Sequence, residues 1–474
     1  MIKALTQPLE AVAGYDDLKK QLKNKTGVIC ITGCIDSQKA QLAAGLSDEA
    51  PVSFLIAENE LKARELYEDC RLYDPDVLYY PRRDLIFGQA DLAGNLLTRQ
   101  RMQVIKALNE QNKEQKKVTI VTPAGGCMDY LLPFRVLRNS CITIDAESTV
   151  DTHQLSGRLA ELGYERFGTV EASGQFAIRG DIIDIYPLTE DTPVRIELWG
   201  DEVDSIRSFD PESQRSIENL DSVTIYPATE DIGKEEKGGK AFYKNLTDTI
   251  LDYLPEGSCV FLDEPERLME NVRAVFKEYE EAMKHRLVEK QIRPEEAGRM
   301  PTPEMFAAEV SHRHTAAFAL LQPRMGDYEL TGEFSVLARS ISSYNGQFAM
   351  LVEDLKKWKK KGYRVVVLSP SRTRGARLAA DLLDEGLNAF FSENEDRLLQ
   401  EGEILVTAGK SRRGFEYPMQ KFAVITESDI FGAQQKKKKR KKSAYSGNHI
   451  NSFAELHIGD YVVHENHGLG VYKG

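Results

Sequence analysis

Cysteine is scarce in this chain and badly spaced for chemistry. Six are spread over 474 residues, and Cys30 and Cys34 have no second pair with which to complete a zinc set. Reduced, mostly buried thiols are expected, with no metal site. Long apolar runs are missing too: none reaches the roughly 18 residues that a membrane span requires. The opening MIKALTQPLE has no apolar core of a signal peptide, so a cytoplasmic protein is expected. Basic residues are in deficit, and the net charge of −12 excludes a protein that coats nucleic acid over its whole surface, though not a local basic site. With 41% hydrophobic and 29% charged residues, the composition is that of a globular protein. The length predicts about three or four domains.

Two further things are missing where a nucleotide site would need them. Gly27 to Gly33 reads as a short buried strand running into a glycine turn, and Ser37 to Leu46 continues as a helix. That is the frame of a phosphate-binding loop, whose working pattern G-x-x-x-x-G-K-S/T uses the second glycine for close backbone approach and the hydroxyl for magnesium. Here Gly33 and Lys39 are present, but Gln38 replaces the glycine and Ala40 the hydroxyl. The stretch is either a nucleotide site that has lost function or a plain strand-helix turn. Cys259 to Glu264 is an apolar strand ending in Asp263 and Glu264, the layout by which P-loop enzymes hold magnesium; a strand that simply ends in charge reads the same way. No cofactor and no catalytic residue are expected.

What is present is concentrated between Gly174 and Ile217. In Gln175 to Arg179, Phe176 and Ile178 share one face and leave Gln175, Ala177 and Arg179 on the other. In Val194 to Trp199, Val194, Ile196 and Leu198 point inward and Arg195, Glu197 and Trp199 outward. The turn Gly200-Asp201 follows at once and predicts a hairpin. Arg and Trp are enriched at binding hot spots. An arginine stem lying over a surface tryptophan within one domain is the other reading, and composition does not choose between them.

Along the chain, residues 1–147 and 233–330 read as α/β, with a strand-rich unit at 148–232 inserted between them. Val272, Val275, Phe276, Tyr279 and Met283 form an ordinary helical core stripe. A small α/β domain is expected over 331–434, with strands at Val365 to Leu368, Ile404 to Thr407 and Phe422 to Thr426 and a helix near Arg374 to Glu385. Lys436 to Lys442 is a run of like charge inside a linker, 435–452, that reads as an extended tether or as a contact with nucleic acid. Two short strands with a glycine-rich turn close the chain at 453–474; Asp460, His464 and His467 there suit strand and turn better than a metal.

These residues resemble a family. Gly174 to Ile217, followed by Tyr226, Pro227, Ala228 and Glu230, is similar to the insert shared by the bacterial transcription-repair coupling factor and the excinuclease B subunit (UvrB). Gly409 to Gly432 and Gly459 to Gly474 resemble the coupling factor alone, where the second segment opens the CarD-like domain that meets the RNA polymerase β subunit. The span from Tyr80 to Thr98 is too short for the DNA-clamping hairpin of excinuclease B. The resemblance implies a degenerate RecA-like α/β domain with an inserted α+β domain, a second small α/β domain and the start of a small β domain. It also implies a module that recruits excinuclease A (UvrA), with Arg179, Arg195 and Trp199 at the contact, within transcription-coupled nucleotide excision repair. The family's translocase half is not found in these 474 residues, and a fragment or an interrupted reading frame is inferred, with a closing domain too short to bury a core. The rival readings are an ATP-dependent damage-binding subunit of the excinuclease B type and a polymerase-binding CarD-like protein. On the recruitment reading, Arg179→Ala with Arg195→Ala is expected to abolish excinuclease A binding and leave thermal stability unchanged.

Overall fold

The computed structural model describes residues 3–85, 95–232, 245–432, 461–464 and 468–471. Its centre is a seven-stranded sheet in the spatial order Leu330–Ser335, Gly27–Thr32, His314–Ala319, Cys259–Asp263, Val52–Ala57, Val118–Pro123 and Leu78–Tyr79. Every pairing in it is parallel. Its inner strands, such as Val-Ser-Phe-Leu-Ile-Ala at 52–57, are buried from end to end because helices cover both faces. Asp36–Leu46, Glu60–Cys70 and Pro265–Val288 are among those helices, and the stripe Val272, Val275, Tyr279 and Met283 is buried as its spacing predicts.

Between the strands at 118–123 and 259–263 the chain makes its excursion. It leaves along Ile142–Asp145 and returns along Ser222–Ile225, and these two strands pair antiparallel as a ribbon. Beyond the ribbon lies a six-stranded sheet in the order Ser216–Asn219, Glu202–Phe209, Val194–Trp199, Ile182–Ile185, Gln175–Arg179 and Glu165–Arg166. It is antiparallel except at its last pair. The helix Thr152–Glu161 buries Leu155 and Leu159 in the core that this sheet shares with the parallel one. The line drawn at 148 therefore cuts one residue run too late, because the neck strand at 142–145 pairs only with the far end of the insert.

The third unit has the strand order Arg339–Ser340, Phe415–Tyr417, Phe422–Thr426, Arg364–Ser369, Glu403–Ala408 and Asn388–Phe391. Its last four strands run parallel, with Arg372–Asp384 as a covering helix. The boundary expected at 331 falls inside Leu330–Ser335, which lies alongside Gly27–Thr32 as an edge of the first sheet, so the third unit starts after it. One apolar cluster runs from Leu42 and Leu66 of the first unit to Phe415, Tyr417 and Phe422 of the third. The chain is thus an α/β multidomain protein with one parallel and two mixed larger sheets. Near its end, Tyr461–His464 and Gly468–Val471 pair antiparallel.

Candidate functional site

On the outer face of the insert sheet the alternation holds, but the arginines do not stand free. Trp199 ends its strand opposite Glu202 across the Gly200-Asp201 turn and is 82% exposed. Gly200 takes φ +66°, the left-handed geometry such a two-residue turn demands. The registers place Ala177, Asp184, Arg195 and Arg207 in one row across four strands. Asp184 is fully buried in that row and collects the arginines on either side: Arg195 donates through Nε (2.7 Å) and Nη2 (3.0 Å), Arg179 through Nη2 (2.5 Å).

Arg195 also donates to Gln214 at 3.0 Å and lies 4.5 Å over the buried ring of Phe209. Its bond to Asp184 raises its pKa further above the ordinary arginine value. Arg207 pairs with Glu197. Two expectations change as a result. Ala177 is buried beside Asp184 rather than exposed, and Arg195 lies flat with 16% of its side chain exposed, while Arg179 keeps 45%. Removing both arginines would leave Asp184 buried and unpaired, so unchanged stability is not the expected result.

The glycine turn at Gly33 is closed by its own neighbours. Gly33 has φ +79°, and a Cβ there would meet the carbonyl oxygen of Val336 at 2.0 Å, so the glycine is required by chain packing. Three N–H groups of the turn are engaged within the fold: Gly33 donates to Leu320 O (3.2 Å), Cys34 to Ala319 O (3.0 Å) and Ile35 to Gln38 Oε1 (3.1 Å). Lys39 is buried and donates to Asp263 (2.6 Å) and Glu264 (2.7 Å). Burial alone would lower its pKa, but the two carboxylates outweigh burial and raise it above the ordinary lysine value. Burial lifts Asp263 against the pull of Lys39. The cleft beside the loop, about 730 Å³, is lined by the acids Asp36, Glu58, Glu65, Asp263, Glu264 and Glu266 and by the bases Lys62, Arg267, Arg412 and Arg413. Lys62 and Arg412 on its wall are already paired, with Asp36 (3.1 Å) and Glu65 (2.6 Å).

Gln38, at the position of the second glycine, and its neighbour Gln41 on the same helix join the first unit to the third. Gln38 Nε2 donates to the Tyr417 hydroxyl (2.9 Å), which in turn donates to Gln41 Oε1 (2.7 Å), and all three side chains are fully buried. Ala40 is buried beside them. Arg412 adds a second joint between the units, binding the buried Asp69 through Nε (3.0 Å) and Nη2 (2.8 Å). Tyr417→Phe removes the hydroxyl from two buried amides, and a loss of about 1–3 kcal/mol is expected. Urea unfolding followed by far-UV circular dichroism measures it; an unshifted midpoint would show that the joint is not stabilising.

The sequence pattern gave no warning of a third cluster. Arg101 is buried and donates to Glu230 (2.5 and 2.9 Å), Asp129 (2.7 Å) and the Pro81 carbonyl (3.0 Å), with Tyr80 stacked 4.2 Å from it. Glu230 is the acid of the Tyr226-to-Glu230 motif, so that motif marks where the insert is clasped to the parallel-sheet unit. Arg83 adds a bond to Asp231 at 2.8 Å. Burial would raise Glu230, but Arg101 and Arg83 prevail and hold its carboxyl below the usual range.

Lys436 to Lys442, Asp460 and His467 lie outside the described residues, as does 86–94 within the Tyr80 to Thr98 span. Among the described residues no group of His, Cys, Asp and Glu could hold a metal. None of the six cysteines is in a disulfide, and all are buried but the half-buried Cys141. Burial pushes the Cys30 and Cys259 thiols up to about 11. No helix among the described residues is long and apolar enough to cross a membrane.

A sheet with an exposed tryptophan at its hairpin corner, hung on a ribbon from a parallel α/β unit, matches a known class. Residues 142–230 match the UvrB interaction domain. The resemblance to the N-terminal portion of the transcription-repair coupling factors also holds along nearly the whole chain. It is 33% identical to the transcription-repair-coupling factor of Bacillus subtilis (strain 168), over 94% of this chain and 43% of that protein. Identity is 28% to the same factor of Staphylococcus epidermidis and of Staphylococcus haemolyticus, over 94% of this chain and 42% of each. The chain spans less than half the length of these relatives.

Proposed function

We propose that this chain is a recruitment module of transcription-coupled nucleotide excision repair, which docks excinuclease A on the outer face of the insert sheet. Trp199 is the anchor, Arg179 an exposed charge of the same sheet, and Arg195 the residue that shares Asp184 with Arg179. The observation that carries this reading is the position of Trp199, 82% exposed, inside the residues that match the UvrB interaction domain. Capture on immobilised excinuclease A tests it: the chain should be retained and Trp199→Ala should be released. Retention of the variant at wild-type affinity would overturn the assignment.

The parallel-sheet unit is a degenerate RecA-like domain that binds no nucleotide and catalyses nothing, and the chain is not an enzyme. This reading rests on Lys39, whose ammonium is shared between Asp263 and Glu264. Isothermal titration with magnesium ATP is expected to give no binding heat at micromolar concentrations. Micromolar binding that Lys39→Ala removes would make the chain a damage-binding subunit of the excinuclease B type. The hairpin at 461–471 is the start of a CarD-like domain for RNA polymerase, and the basic run before it is a tether. The whole works in the cytoplasm, and DNA translocation belongs to the larger architecture of the coupling factors.

A further inference from the structure

The outer face of the insert sheet carries a second exposed aromatic. Phe167 follows the short edge strand Glu165–Arg166 and is 46% exposed. Its N–H still donates to Phe176 O at 2.9 Å, so the pairing with Gln175–Arg179 runs up to it. Arg166 lies opposite the buried, inward Phe176, and successive residues of a strand face opposite sides. Phe167 therefore falls beside Ala177, at the edge of the row that continues through Asp184, Arg195 and Arg207. The next residue marks the same side, since Arg179 Nη1 donates to the Gly168 carbonyl oxygen at 3.5 Å.

Register then draws a band across the sheet. Arg179 stands two residues beyond Ala177 on the same face and pairs with Ile182, which is half-buried and lies opposite Glu197. Trp199 is two residues beyond Glu197 on the next strand. Phe167, Arg179, Ile182 and Trp199 thus follow one diagonal over four neighbouring strands, with the two rings roughly 20 Å apart at ordinary strand spacing and rise. The acids along it have their places: Glu197 pairs with Arg207, and Glu202 stands opposite Trp199. Asp184 gives a single negative charge to both Arg179 and Arg195, so one positive charge is left over, and the exposed Arg179 is where it meets solvent. Ile217, exposed as well, lies at the far edge with the strand Glu202–Phe209 between it and the band. Single exposed apolar residues are ordinary, but two rings flanking an arginine make the composition of an interface core.

We infer that Phe167 is a second anchor of the docking face, so that excinuclease A meets this sheet along the whole diagonal and not at the Trp199 corner alone. The inference rests on the reading of that face as the excinuclease A contact. It sets what the partner must offer: two apolar hollows roughly 20 Å apart, with a carboxylate between them for Arg179, whose guanidinium has N–H groups beyond the two already engaged. Biolayer interferometry with purified excinuclease A and the full chain tests it. Phe167→Ala is expected to lower affinity about tenfold or more, while Phe167→Tyr, which keeps the ring, binds as the parent does. The melting temperature of Phe167→Ala should stay near the parent's, because the side chain is half exposed. Should it fall markedly, Phe167→Gln, which keeps a covering stem without the ring, serves instead with the same expected loss. Combined with Trp199→Ala, the two losses should multiply, since the anchors are too far apart to share partners. A Phe167→Ala chain that binds as tightly as the parent overturns the inference. If Trp199→Ala is released in that same assay the face itself stands, and if it is not, both fall.

Discussion

Arg101→Met is expected to cost about 3–5 kcal/mol, the price of leaving a buried ion cluster without its cation. Asp129 and Glu230 both face Arg101 from positions closed to water, and methionine fills the space of the stem but offers neither carboxylate a proton. Against an ordinary domain stability of about 5–15 kcal/mol, that is a large share. Arg101 sits on the helix Leu96–Glu114 and Glu230 at the end of the insert, so the junction of the two units should loosen first. Urea unfolding gives the size of the loss, and limited proteolysis gives its place, with early cleavage around 226–232 in the variant. Replacing Asp129 and Glu230 with apolar residues in the same chain should recover much of the loss, since the cluster is costly chiefly when broken. An Arg101→Met chain with the parent's unfolding midpoint would show that the clasp adds nothing.

Trp199→Ala should separate binding from stability. The side chain is 82% exposed, so its removal opens no cavity, and the melting temperature should stay within a degree or so. A hot-spot tryptophan is worth about 2 kcal/mol or more, which is roughly thirtyfold in affinity for excinuclease A. Arg195→Ala should behave differently. It strips two hydrogen bonds from the fully buried Asp184, leaving Arg179 alone to meet that charge, and about 1–3 kcal/mol of stability should go with it. Surface plasmon resonance together with calorimetry distinguishes the two variants. A stable Trp199→Ala chain that still binds as tightly as the parent would remove the outer face from the contact.

How much of this could be read beforehand depended on the range of each interaction. The strands of the insert and the outward turn of Trp199 are local, period-2 properties, and the structure places them as the alternation requires. The Gly200-Asp201 turn fixes the register of Val194–Trp199 against Glu202–Phe209 alone; Asp184 meets Arg195 across the longer connection from Ile185 to Val194, so neither that pair nor its burial beside Phe209 could be read locally. The Arg101 cluster was out of reach, since its acids lie 28 and 129 residues away and nothing local marks an arginine as buried. Gly33 was legible as a turn glycine, yet its cause is the approach of Val336 from more than 300 residues on. The domain line at 331 was misplaced for a related reason. The edge strand Leu330–Ser335 is partly exposed and follows the first sheet's helices at a distance, so composition alone gives it to whatever comes next.

The bonds of Gln38 and Gln41 to Tyr417 bear on the history open to this chain. Writing the nucleotide pattern in at position 38 would exchange a buried glutamine for glycine, and the Tyr417 hydroxyl would lose the amide that donates to it while a void opened between two units. Lys39 would still be held by Asp263 and Glu264, and the loop amides by Leu320 and Ala319. Each step toward a working phosphate loop is unfavourable until several others have been made, because residues that share partners do not contribute additively. The turn is therefore locked into its present task as a joint between units, and substitutions made one at a time have no downhill route from it to a nucleotide site.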